Sequence, residues 1–328
     1  MKILVRLPNW LGDMVMSTAF IRALKDVYPS SEIDVIVKRG LETLVDFIPL
    51  VNNRFVFSKD EWKGLRGAYR FGKKIKNKTR YDLFFCLPDS FSSALMGRAT
   101  GARKRLGFKK ELRSFFLTHS FTKPVSGHRV EQYLSLLEQF VKKEISLPRV
   151  LLSTSRSPVP NRVIVNFNSE AESRRMPVAK AASILNEFIR QIPNAEFICI
   201  GSLKEKDHVD SILALVDQNR QIKNHAGLTN NLTDLIQLIA SGTVMLTTDS
   251  GPAHVANALG VPVVVTFGAG NENNTAPFNN DHLTVLRLGQ LPCEPCMKNV
   301  CKFGLPKCLE GLAAGQLTDA VKRFMIAQ

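Results

Sequence analysis

A chain of 328 residues is too long for one small core and suits two domains of about 150 residues each. Its 45% hydrophobic and 22% charged residues exclude a disordered chain, and no apolar run reaches the ~18 residues that a membrane span requires. The formal charge of +15 points to an anionic partner or substrate.

The opening MKILVRLPNW has neither a long apolar region nor a small-residue cleavage site, so a cytosolic location is expected. KILVRL reads as a strand, and PNWLGDMVMST follows it. Gly12 permits a tight turn there, and Asp13 sits at or near a helix start, where the dipole favours a carboxylate. That position serves either an N-cap or a general base in a cleft. MVMSTAFIRALKDVY has helical spacing, and EIDVIV, RFVF and YDLFFCL read as further strands. Residues 59 to 113 hold 16 Lys and Arg against five Asp and Glu. Such a segment is a solvated basic face, or a surface for nucleic acid, anionic lipid head groups or a phosphorylated sugar.

LSTSRSPVPNR, residues 152 to 162, marks a linker by its Ser, Pro and polar content. Beyond it RVIVNF, AEFICIG, TVMLTTD and VPVVVTFG alternate with the helix-period runs VAKAASILNEFIRQI, KDHVDSILALVDQ and LTDLIQLIASG. Strand and helix alternating in this way means an α/β protein with parallel sheets covered on both faces. Two doubly wound, Rossmann-like domains facing across a cleft are expected. Ligands then bind at the carboxyl ends of strands.

Three such ends in the second half carry polar residues. After VIVNF, the polar run with Ser169 leads to Arg174, Arg175 and Pro177, and guanidinium groups beside a helix start make an anion pocket or remain surface charges. After CIG, Glu205 suits ribose hydroxyls or a cap. After LTT, the residues Asp249, Ser250, Gly251, Pro252 and His254 gather at one strand-to-helix junction, a nest suited to a sugar phosphate. FGAGNEN lacks the third glycine of a dinucleotide fingerprint, since Asn273 stands there. With no Asp-x-Asp pair in the sequence, a metal bridged by two such carboxylates is disfavoured.

PNWLGDMVMS, YDLFFCLPDSFSSALMGRATGARKRLGF, SRRMP and TTDSGPAHVANALGVPVVVTFG follow in consistent order over nearly the whole chain. Together they resemble the ADP-heptose:lipopolysaccharide heptosyltransferases of glycosyltransferase family 9, most closely the heptosyltransferase II branch. The resemblance implies a GT-B fold and inverting transfer of a heptose from ADP-heptose to the lipopolysaccharide inner core, without a catalytic metal. It implies an acceptor-binding domain over 1–155 and a nucleotide-sugar-binding domain over 156–312, while the order of elements along the chain suggests that a last helix within 313–328 crosses back to brace the first domain. Asp13 matches the base, and Arg174 stands where the family has a lysine on the donor phosphates, with Ser169 and Arg175 nearby. Glu205 matches the ribose ligand, and Asp249, Ser250, Gly251 and His254 match the element holding donor sugar and diphosphate. Asn9, Trp10 and Gly12, with Arg103 and Arg105, fall on the acceptor side. Departures are Arg174 for lysine, Met176 for tryptophan and GAGNEN for a Gly-Pro-Thr run. A monomer working peripherally at the cytoplasmic face of the inner membrane, with no nucleic-acid partner, is the corresponding expectation.

Cys293, Cys296, Cys301 and Cys308 lie close together in CEPCMKNVCKFGLPKC. Their spacing suits a structural tetrathiolate zinc or four reduced thiols in a loop. Cys86 and Cys199 fall in strands, as core residues. The rival readings are a GT-B transferase of another nucleotide sugar and a basic binding protein for nucleic acid or anionic lipid.

Overall fold

The computed structural model describes residues 1–217 and 220–326. The chain divides into two compact units, Met1–Ser153 and Thr154–Gln328, and the division falls inside the Ser- and Pro-rich stretch.

In the first unit the strands are β1 (Lys2–Arg6), β2 (Glu32–Lys38), β3 (Asn53–Phe57), β4 (Leu83–Cys86), β5 (Lys104–Phe108) and β6 (His119–Phe121). The helices are α1 (Leu11–Met16), α2 (Thr18–Val27), α3 (Gly64–Lys78), α4 (Phe91–Thr100) and α5 (Arg129–Val141), with 3-10 turns at Glu42–Phe47 and Glu111–Phe116. All strands pair in parallel, in the order β3-β2-β1-β4-β5-β6. Successive residues of a strand face opposite sides. Phe84 therefore packs with Phe71, Ile75 and Met96 beneath α3 and α4, while Phe85 meets Phe20 of α2 and Phe140 of α5 edge to face. Each fully buried phenylalanine contributes roughly 2 kcal/mol of hydrophobic stabilisation. The chain winds outward from β1 and returns to β4 on its other side, so the carboxyl ends of these two strands flank the point where the winding reverses.

The second unit repeats the figure with β7 (Arg162–Asn166), β8 (Glu196–Cys199), β9 (Ile222–Asn224), β10 (Val244–Thr248), β11 (Val263–Phe267) and β12 (Leu283–Arg287). Its parallel order is β12-β11-β10-β7-β8-β9, which puts the reversal between β7 and β10. The helices are α6 (Val178–Gln191), α7 (Lys206–Leu213), α8 (Leu232–Ala240), α9 (Gly251–Ala258), α10 (Glu272–Thr275), α11 (Lys307–Glu310) and α12 (Ala314–Ile326). Helix α7 stops at Leu213, and Gln218, the end of the run expected to be helical, lies outside the described residues. The linker is tied to this unit, since Arg156 donates to the carbonyls of Gly260 and Gly242. Val163, Val165, Ile184, Leu185 and Phe188 build the core on one face of the sheet. The last helix places Leu317, Ala320 and Val321 in this core, where its apolar stripe meets α6. Residues 327 and 328 of that stretch lie outside the described residues. Each unit is thus a doubly wound parallel sheet, as the expected GT-B fold requires.

Candidate active site

In the second unit the polar residues converge at the reversal between β7 and β10. Asn166, the last residue of β7, donates through Nδ2 to Ser250 Oγ at 2.9 Å and Thr247 Oγ1 at 3.1 Å. Ser169 Oγ donates to the Asp249 carbonyl, and Thr248 Oγ1 to the Asn168 carbonyl at 2.6 Å. These bonds fasten the loop after β7 to the loop after β10. The Ser250 hydroxyl donates back to the Thr248 carbonyl, so it does not cap α9 although Ser250 is the N-cap residue. Pro252 occupies the first turn, and the start of α9 has no side-chain cap, as an anion site requires. His254 is buried one turn further along the helix.

Arg174 Nη1 stands 3.1 Å from Asp249 Oδ2. The pair is an ion contact rather than an aligned hydrogen bond, since neither Oδ2 nor Arg174 Nε has a hydrogen-bond partner among the described residues. Burial pushes the Asp249 carboxyl up to about 6, against the pull of Arg174 and Arg287. Gly270 fits beneath it, because a Cβ there would lie 2.1 Å from Oδ2. Arg287, at the end of β12, holds the surrounding loop: it donates to Glu272 at 2.8 Å and to the Gly268 carbonyl at 2.9 Å, and contacts the Gly270 carbonyl. Arg175 donates to the Ser169 carbonyl at 2.7 Å, a loop-holding role. Burial, then the charge of Arg175, lowers the neighbouring His208. The carboxylate of Glu205 accepts from the backbone and hydroxyl of Ser202, both at 2.8 Å, forming a capping box at the end of β8.

In the first unit β1 runs into the turn that holds Asn9, Trp10, Gly12 and Asp13. Trp10 is the N-cap residue of α1 and makes no side-chain cap, and Asp13 occupies the third helical position. Buried Arg6 donates to Asn9 Oδ1 at 2.5 Å and to the carbonyls of Leu7 and Ile36, fixing the turn. Burial lowers Arg6 to about 10. Trp10 is exposed, with the Lys38 ammonium 5.7 Å from its ring. Asp13 Oδ1 accepts from the Tyr133 hydroxyl at 3.3 Å and lies 3.7 Å from Arg129 Nε. Both partners belong to α5, four residues apart and so on one face. Burial, followed by the charge of Asp13, raises the Tyr133 phenol well above its ordinary range, so it stays a proton donor.

The structure thus gathers Asn9, Trp10, Gly12 and Asp13 in one place, and Ser169, Arg174, Asp249, Ser250, Gly251 and His254 in another. It does not bring Arg103 and Arg105 to the carboxyl edge. Arg103 lies at the amino end of β5 beside Asp82, and Arg105 donates to the carbonyls of Phe116 and Ala102. Tyr133, Arg129, Arg287 and Gly270 escaped sequence reasoning. The pair on α5 carries only a four-residue spacing as its signal, and Arg287 only its place at a strand end.

The four cysteines do not fit the tetrathiolate. Among the described residues no three His, Cys, Asp or Glu side chains gather as a metal cage. Cys308 is turned into the core of the second unit, where burial pushes its thiol up to about 11, and Cys301 donates to the Leu305 carbonyl. Cys86 and Cys199 are buried strand residues.

Residues 68–306 match the model of glycosyltransferase family 9 (heptosyltransferase). The lipopolysaccharide heptosyltransferase 2 of Salmonella typhimurium (strain LT2) is 30% identical over 304 residues, covering 85% of this chain and 86% of that protein. The enzyme of the same name from Escherichia coli (strain K12) is 29% identical over 308 residues, with the same coverage of each. The solved structure of E. coli ADP-heptose LPS heptosyltransferase II superposes with a TM-score of 0.85 at 25% identity, over 100% of this chain and 99% of that one.

Proposed function

From a chain that belongs to glycosyltransferase family 9, the heptosyltransferases, we propose inverting transfer of a heptose from ADP-heptose to the inner core of lipopolysaccharide. The observation that carries this reading is the meeting of Arg174, buried Asp249 and the uncapped start of α9 at the reversal of the second sheet. A diphosphate seated there receives backbone N–H groups, the helix dipole and a guanidinium fork at once. As the bond to the anomeric carbon breaks, charge grows on the departing ADP. Arg174 and the Ser250–Gly251 backbone stabilise it, and one such donor is worth roughly 3 kcal/mol, about a hundredfold in rate. Ser169, Arg175 and His254 shape the donor pocket, and Glu205 reaches the ribose.

The first unit supplies the base. Asp13 accepts the proton of the acceptor hydroxyl as that oxygen attacks, and the Tyr133 hydroxyl and Arg129 hold the carboxylate in place. Asn9, Trp10 and Gly12 receive the acceptor sugar, whose lipid anchor sets the enzyme at the inner face of the membrane. No step calls on a metal, because arginine and helix start neutralise the leaving group.

Incubation with ADP-heptose and a heptose-acceptor core, read by mass spectrometry, tests the reaction. Asp13→Asn is expected to abolish transfer while ADP affinity stays at the wild-type value. Transfer that survives the substitution, or ADP affinity lost with it, would overturn the assignment of the base.

A further inference from the structure

We propose that one face of the first unit, formed by α3, α4 and the 3-10 turn Glu111–Phe116, docks on an anionic phospholipid bilayer. The inference rests on the transferase reading only for the reason such an enzyme would visit a membrane. Helix α3, GLRGAYRFGKKIKNK, carries six Lys and Arg and no Asp or Glu. Its buried stripe of Gly67, Ala68, Phe71, Gly72 and Ile75 packs on α4 and the sheet. The helices press backbone to backbone, since a Cβ on Gly72 would lie 2.4 Å from the Met96 carbonyl oxygen. The opposite stripe faces outward with Leu65, Arg66, Tyr69, Arg70, Lys73 and Lys74, and Leu65 and Tyr69 are 49% and 41% exposed.

Among the described residues no ion pair engages Arg66, Arg70, Lys73 or Lys74. Two of them rest instead on rings, Lys73 at 5.6 Å from Tyr69 and Lys74 at 5.5 Å from Trp62. Like charges four apart, such as Arg66 with Arg70 and Arg70 with Lys74, destabilise a helix in isolation. An anionic partner removes that repulsion.

The 3-10 turn packs on α4, the helix on which α3 also packs. Residues three apart eclipse in a 3-10 helix. Leu112 and Phe115 therefore stand together, 65% and 82% exposed, while Arg113 between them turns inward to Asp89. Lys109 and Lys110 flank them in solvent. A soluble polyanion would satisfy the cations but leave Phe115 and Leu112 in water. A bilayer takes both, with the apolar tips among the acyl chains and the ammonium and guanidinium groups at the phosphates.

The test uses the full chain with vesicles of phosphatidylcholine, with and without phosphatidylglycerol. Wild type is expected to float with the anionic vesicles alone, and to be released as salt shortens the screening length. The triple substitution Arg66→Glu, Arg70→Glu, Lys73→Glu should weaken partition at least about a hundredfold. The pair Leu112→Ser, Phe115→Ser should weaken it about tenfold. Both variants should transfer sugar to a lipid-free, water-soluble core acceptor at the wild-type rate. Equal binding to neutral vesicles, indifference to both variants, or an oligonucleotide bound as tightly as the vesicles would each overturn the proposal. Wild type that binds anionic vesicles yet transfers nothing to the soluble acceptor supports the docking face and strikes the transferase reading instead.

Discussion

Gly270 lies directly against the carboxylate of Asp249, so near that a Cβ on its backbone would come to 2.1 Å from Oδ2. No real Cβ tolerates that approach, so Gly270→Ala must displace the carboxylate or the Gly270 backbone and disturb the contact with Arg174. The substitution should destabilise the fold by about 1–3 kcal/mol and weaken ADP at least about tenfold. Calorimetric titration with ADP decides the matter, and unchanged affinity would detach Asp249 from the donor site.

Arg174→Ala should lower kcat about a hundredfold, since a donor to the leaving diphosphate is lost. Arg174→Lys keeps the charge but gives up the fork, and should fall between the two. Rates for the three proteins at saturating donor provide the ranking, and a lysine variant no better than alanine would mean that geometry outweighs charge.

The Asp249 carboxyl, held near 6 against an ordinary 3.8, makes stability depend on pH. Its folded state keeps the proton where the unfolded chain releases it. The contribution to stability is fully present below about pH 3.8 and is lost as pH rises through about 6, a difference of about 3 kcal/mol. Denaturant unfolding between about pH 4 and pH 7 should show that loss, and Asp249→Asn should flatten it. A diphosphate alongside favours the protonated carboxyl, so ADP affinity of the wild type should fall above about pH 6. An affinity independent of pH would place the nucleotide elsewhere.

Tyr133 touches Asp13 from a different helix, 120 residues further along the chain. Tyr133→Phe removes the hydroxyl and little else. It should reduce kcat about tenfold, within the range that positioned proton-transfer groups contribute, while ADP affinity and melting temperature stay close to wild type. A variant that melts early without a change in kcat would reduce Tyr133 to a packing residue.

Local pattern was enough for much of the fold. Apolar runs such as KILVRL and VPVVVTFG became strands where expected, because a strand buried on both faces writes itself as a continuous apolar segment. The edge strands β6 and β9, of three residues each, and β12, half-buried throughout, carry no such signature. KRLGF of β5 hides behind its cations and glycine.

The residues at the ends of the central strands were legible for the same local reason. Asp13, Arg174 and Asp249 are polar groups placed where an apolar strand meets a helix, and that juxtaposition lies within a few residues of chain. What surrounds them depended on sheet order. Strand β1 beside β4 brings α5 and its Tyr133 to Asp13, and β10 beside β7 and β11 brings Arg174 and Gly270 to Asp249. Only the tertiary structure could turn Cys308 inward, send Arg103 and Arg105 to the amino end of β5 and lay α12 on α6. Periodicity is a property of neighbours in sequence, whereas each of these contacts joins segments whose meeting depends on the order in which strands pair.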